Sequence, residues 1–135
     1  MLALLVFVWI LGVVLDPFLH PGEEQGLVPE EWDPQEAAPF AANLGATTLV
    51  VPVVEELTFR GAGYSLLALR YGKGVAIVGT GILFGAAHGL VLALPLLVAF
   101  GVALAWLRSR TGSVVPGIVL HGVFNGLAVA LGVLA

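Results

Sequence analysis

The sequence predicts an all-α fold, a polytopic integral membrane bundle of about five transmembrane helices. Hydrophobic residues make up 59% of the 135-residue chain and charged residues only 10%. A soluble domain carries about 25% charged residues, so this chain has too few polar groups to cover a water-facing surface. A mean hydropathy of +1.06 agrees. The acids are also segregated. Seven of the nine (Asp16, Glu23, Glu24, Glu30, Glu31, Asp33 and Glu36) lie between Asp16 and Glu36, and the other two, Glu55 and Glu56, are adjacent and flanked by apolar residues.

In chain order, Met1 to Leu15 is an apolar run, a little short of the ~20 residues that cross a hydrocarbon core, and reaches across if Asp16 to Leu19 lie at the interface. It lacks a basic leader, and no small-x-small site follows before Asp16, which argues against a cleaved signal. Pro17 to Pro34 is rich in Pro, Gly and acids and reads as a loop or interfacial segment. Ala37 to Leu69 is apolar except for Glu55, Glu56 and Arg60. It is too long for one straight span, so it must tilt, begin along the interface, or bend at Pro52, Gly61 or Gly63. A break there would open a cavity beside the glutamates. Gly74 to Leu107 carries no charge and divides near Gly89 to Pro95 into two short helices; Val114 to Ala135 is the last span. Residues 1–36 therefore form an N-terminal span with its acidic loop, and 37–135 the core.

Basic residues cluster at Arg70 to Lys73 and at Arg108 to Arg110. By the positive-inside rule both loops are cytoplasmic, and the acidic loop 16–36, which has no Lys or Arg, is non-cytoplasmic. Five spans with a cytoplasmic N-terminus satisfy all three, as a multi-pass protein of the cell membrane. The five basic residues form no patch that would bind nucleic acid. The absence of cysteine removes disulfides and thiolate chemistry.

A carboxylate at mid-membrane is unfavourable by about 2.5–3.5 kcal/mol, so two adjacent ones need a reason. Arg60, four residues after Glu56, suits a helical ion pair. Glu55 points about 100° away around the helix, which leaves it freer to act as a base. The plainer alternative is a helix end with all three residues hydrated, but Gly61 to Leu69 is again apolar. His88 lies four residues after Phe84, and His121 and Asn125 are four apart on one helix face. For any one of these residues, a hydrogen bond between helices is the commoner role.

Their depths agree. Measured from the nearest basic loop, Glu56 lies 14 residues before Arg70, His88 15 after Lys73, Asn125 15 after Arg110, and His121 11 after Arg110. These are about 21, 22, 22 and 16 Å at helical rise, one layer near mid-membrane. His20 falls on the opposite side. No serine partners the histidines, and neither helical zinc pattern is present. A carboxylate, two imidazoles and an amide remain, enough to activate a water and stabilise an oxyanion.

Glu-Glu-x-x-x-Arg at Glu55 to Arg60, Phe-x-x-x-His at Phe84 to His88 and His-x-x-x-Asn at His121 to Asn125 together resemble the CPBP intramembrane proteases, which include type II CAAX prenyl endopeptidases and Abi bacteriocin-immunity proteins. Phe-Arg-Gly after the glutamates and Arg-Thr-Gly-Ser before the last span extend the likeness over about Val51 to Asn125. The resemblance implies an all-helical membrane endopeptidase acting on membrane-associated peptides or proteins, prenylated ones included. It assigns Glu55 and His88 to water activation and His121 and Asn125 to the oxyanion, with Glu56, Arg60 and Phe84 in support. The expectation is a site without cofactor; zinc held by Glu55, His88 and His121 is the alternative. Two other readings stand beside it: a non-catalytic membrane adaptor or immunity protein using the polar cluster to lock helices or bind a partner, and an ion-conducting subunit, disfavoured by the apolar outer halves of the spans.

Overall fold

A computed structural model describes residues 2–19 and 37–134 of the chain. Most of the predicted acidic loop, with His20, lies outside the described residues. Those described form five helices and no strands: α1 Leu2–Leu19, α2 Ala37–Tyr71, α3 Lys73–Ala87, α4 Leu94–Thr111 and α5 Val115–Leu134. The fold is an all-α bundle. By length and composition α1, α2 and α4 are long and apolar enough to cross a membrane, and α3 and α5 are shorter apolar helices.

Helix α1 runs further than the sequence suggested, through Pro17 to Leu19. A proline in the last turn removes a single bond, to the carbonyl of Val13, so the helix survives it. Val8 is buried in one core cluster with Phe84, Phe100, Leu104, Leu107 and Leu120, against which Leu4 and Leu96 also pack.

Helix α2 does not take the break, one of the three expected alternatives. It is continuous over 35 residues, about 52 Å at helical rise and well beyond a ~30 Å hydrocarbon core. In place of a break it contains two π-helical stretches, Ala46–Val50 and Leu57–Gly63. The first immediately precedes Pro52, which has no N–H to give to Thr48 four residues back. There the Val51 N–H bonds to Ala46 O, five residues back, instead of to Thr47 O. At the end of the second, the Tyr64 N–H bonds to Phe59 O and so bypasses Arg60 O. Each stretch thus removes the usual helical donor from one carbonyl without breaking the helix.

Helices α3 and α4 form an antiparallel hairpin whose axes meet through glycine. A Cβ on Gly81 would lie 2.8 Å from the Val102 amide nitrogen, and one on Gly101 2.9 Å from Gly81 O. Gly81-x-x-x-Gly85 is a small-residue stripe of the kind that lets helix backbones approach in lipid, where packing rather than hydrophobic exclusion drives association. This antiparallel register brings Lys73 and Arg110 out at the same end. At the α4–α5 turn, Gly112 takes φ +69°, and its N–H closes α4 on Arg108 O.

Candidate active site

The site is built where α2, α3 and α5 meet over a floor of aromatic rings. Glu55 and Glu56 lie at the end of the α-helical segment Val51–Glu56, between the two π stretches. Being neighbours on a helix, they diverge. Glu56 is fully buried, and its Oε1 accepts from Arg60 Nη1 at 2.8 Å. Arg60 is also fully buried; its Nη2 donates to Gly101 O of α4 at 2.9 Å, and its guanidinium sits 4.4 Å from the centre of the Phe84 ring. Glu55 stays one-quarter exposed and faces the histidines.

His121 lies between the two carboxylates. Its Nδ1 is 3.3 Å from Glu56 Oε1 and its Nε2 3.5 Å from Glu55 Oε2. The second separation is long for a hydrogen bond, and Glu55 Oε2 has no hydrogen-bond partner. His88 sits at the end of α3, directly before the break the sequence placed near Gly89 to Pro95. It caps the helix, and its Nδ1 is 2.8 Å from Phe84 O. The carbonyl can only accept, so this contact places a proton on Nδ1 and turns Nε2 to Glu55 Oε1, 3.9 Å away. Phe84 holds the group together: its ring lies 4.7 Å from that of His88, 5.6 Å from that of His121 and 5.4 Å from that of Phe59.

Asn125 follows His121 by one turn, and its Nδ2 donates to Thr47 O at 3.0 Å. Thr47 O is the carbonyl that the first π stretch leaves without its helical donor. The α5 face reads Gly117, His121, Asn125, each four residues from the next, and its glycines matter as much as its polar groups. A Cβ on Gly117 would lie 2.6 Å from Glu56 Oε2, and one on Gly122 2.5 Å from Thr48 O.

The structure therefore brings Glu55, Glu56, Arg60, Phe84, His88 and His121 into one cluster, while Asn125 clasps α2 one turn further along α5. Sequence reasoning missed Phe100, whose ring is 5.2 Å from that of His121, and also Gly101, Gly117 and Thr47. Gly117 was detectable as the residue one turn before His121. Thr47 was not, because only the π stretch makes its carbonyl available.

The two imidazoles face different oxygens of Glu55, and the other nitrogen of His121 faces Glu56. Among the described residues no group of three or more His, Asp or Glu side chains is disposed to hold a metal ion.

The sequence matches the family described as type II CAAX prenyl endopeptidase Rce1-like across residues 37–127. The chain belongs to that family. No curated protein and no solved structure matched it. Every site residue named above lies within the matched segment, and α1 lies outside it. Membership in the CAAX prenyl endopeptidase family implies a peptidase, and with three helices apolar enough to cross a bilayer it marks an integral membrane protein.

Proposed function

We propose that this chain is an intramembrane endopeptidase that hydrolyses a peptide bond of a membrane-associated substrate, with water activated between Glu55 and His88. The observation that carries this reading is the split in exposure across the cluster. Glu56, Arg60 and His121 are buried, whereas Glu55 and His88 are each about one-quarter exposed, with a carboxylate oxygen and an imidazole nitrogen facing across 3.9 Å. A water resting against both from the open side makes a bond of ordinary length to each. Glu55 takes its proton as the oxygen attacks the scissile carbonyl, forming the tetrahedral intermediate. The oxyanion takes the second N–H of Asn125, the first being held by Thr47 O, and the Nε2–H of His121 in its imidazolium form, whose Nδ1–H is held by Glu56. The proton on Glu55 then passes to the leaving amine as the C–N bond breaks. No metal enters this sequence of steps.

An apolar cavity of about 580 Å³ between α1 and the α4–α5 pair, lined by Trp9, Gly12, Leu96, Phe124 and Leu127 among others, supports a substrate carrying an apolar chain. It adjoins the site through Phe124, which stacks 4.4 Å from Phe100. The chain crosses the membrane several times, with the α2–α3 and α4–α5 turns on the cytoplasmic side, because their basic residues emerge at one end of the hairpin.

The adaptor reading draws support from the buried contacts, since Glu56–Arg60, His121–Glu56 and Asn125–Thr47 lock helices together. It leaves Glu55 and His88 without a task. Purified protein in proteoliposomes, given membrane-tethered peptides with and without a prenyl group, separates the two. Cleavage that disappears in Glu55→Gln, with the fold retained, supports the peptidase; an equally active Glu55→Gln refutes it.

A further inference from the structure

Resting on the peptidase reading, we infer that Arg108 is a positioning residue for the two glutamates, holding α2 at the turn where the second π stretch gives up a carbonyl. From sequence alone Arg108 is one of two basic anchors at the end of α4. The structure treats the two differently. Arg110 is exposed, with its guanidinium 5.2 Å from the Trp106 ring. Arg108 is half-buried; its Nε–H donates to Arg60 O at 3.2 Å, and its guanidinium lies 5.6 Å from the Tyr64 ring. Arg60 O is the carbonyl that the Tyr64 N–H bypasses in favour of Phe59 O.

A carbonyl without its helical donor at membrane depth has no water to turn to, so a donor from another helix stabilises the π form over the α form. The choice between forms is large in angle. A π stretch accommodates one extra residue, and its collapse to regular helix turns the two flanks relative to each other by about 100°. Arg60 is pinned to α4 twice, through its own carbonyl by Arg108 and through its guanidinium by Gly101 O. From Arg60 the contacts run to Glu56 at 2.8 Å, on to His121 at 3.3 Å, and from His121 to Glu55 at 3.5 Å. The other π stretch repeats the device from α5, where Asn125 takes Thr47 O.

Two substitutions isolate the hydrogen bond. Arg108→Gln places an N–H the same number of bonds from Cα as arginine Nε, without the charge. Arg108→Met has similar length and no donor. In proteoliposomes Arg108→Gln should keep kcat within about twofold of the parent, and Arg108→Met should lower it about 10- to 10²-fold per folded molecule, as for a misplaced reacting group, with KM unchanged. Arg110→Met serves as the control for loss of a basic anchor and should change neither constant. Equal losses in Arg108→Gln and Arg108→Met would assign the effect to charge, and an unchanged Arg108→Met would remove it; either overturns the inference. So does an Arg108→Met that lowers only the folded fraction. A readout independent of turnover keeps this apart from failure of the peptidase reading: the ring resonances of His121 should move in Arg108→Met and stay in place in Arg108→Gln and Arg110→Met. A His121 ring unmoved by Arg108→Met overturns the positioning role even if the parent cleaves nothing.

Discussion

Removing the Glu56 carboxylate while keeping its shape, as Glu56→Gln, tests the buried centre of the site directly. Glu56 and Arg60 meet at 2.8 Å with both side chains fully buried, a gross attraction of about 6 kcal/mol at an effective dielectric of 20. What a single substitution loses is smaller, about 3–5 kcal/mol, because the surviving charge is left buried without its partner. Arg60 would keep Gly101 O and the Phe84 ring, and the glutamine oxygen can still accept, so Glu56→Gln belongs near about 3 kcal/mol. Arg60→Met is worse. It leaves a carboxylate facing only His121, with Oε2 already unpartnered, and belongs near about 5 kcal/mol. The double variant replaces an ion pair by neutral groups of similar volume and should lose only about 1–2 kcal/mol. Equilibrium unfolding of the purified protein in bicelles measures all four corners of the cycle. Single effects that add in the double variant to within about 0.5 kcal/mol would show that the two residues act independently and refute the argument. The double variant should regain stability without regaining turnover, since His121 has lost the carboxylate that orients it.

Gly122→Ala should destabilise by about 1–3 kcal/mol in the same unfolding assay, because its Cβ meets the Thr48 carbonyl, a backbone atom that cannot swing aside. Gly126→Ala, which meets only the Thr48 Cγ2 methyl at 3.2 Å, should be milder, and the reverse order would refute the docking of α5 on α2. Asn125→Ala should lower turnover about 10²- to 10³-fold, the effect of losing one oxyanion donor; a loss of stability with unchanged turnover per folded molecule would leave it only the Thr47 clasp. Activity should survive exhaustive chelation. One tightly held zinc per chain in elemental analysis, with activity lost on its removal and restored on its return, would overturn the metal-free mechanism.

How far the site was legible follows from what each residue depends on. Glu55, Glu56 and Arg60 were legible because an uninterrupted helix fixes their relative directions, and the depth count placed His88 and His121 in their layer. The helical character of each apolar segment followed from composition, and the hairpin break near Gly89 to Pro95 from its breakers. Features that arise only when helices meet were not legible. Pro17 reads as a loop opener, yet one lost bond near a helix end is not enough to stop α1. Pro52 and the glycines at 61 and 63 read as breakers, and α2 absorbs them as π stretches because side chains from α4 and α5 meet the carbonyls those stretches leave. Arg108 reads as a topological anchor for the same reason: the acceptor it uses exists only in the folded α2.

Helix α2 is the element on which the others converge, and lipid explains why. Apolar contact alone gives helices little reason to associate in hydrocarbon, so packing and interhelical hydrogen bonds must hold them. Much of α2 near the site is apolar and exposed, with Leu49 at 70%, Val50 at 60% and Val54 at 58%, surfaces suited to lipid. Around the site its polar groups reach other helices as well as one another: Thr47 O meets Asn125, the Arg60 guanidinium meets Gly101 O besides Glu56 of its own helix, Arg60 O meets Arg108, and the two carboxylates face His121, with Glu55 also facing His88. The contacts that hold α2 in the bundle are therefore the contacts that aim its glutamates. Of the three charged side chains Glu55, Glu56 and Arg60, Glu55 alone keeps an open side. A helix that only needed locking would gain by closing that side, whereas a base that must receive a water has to leave it open.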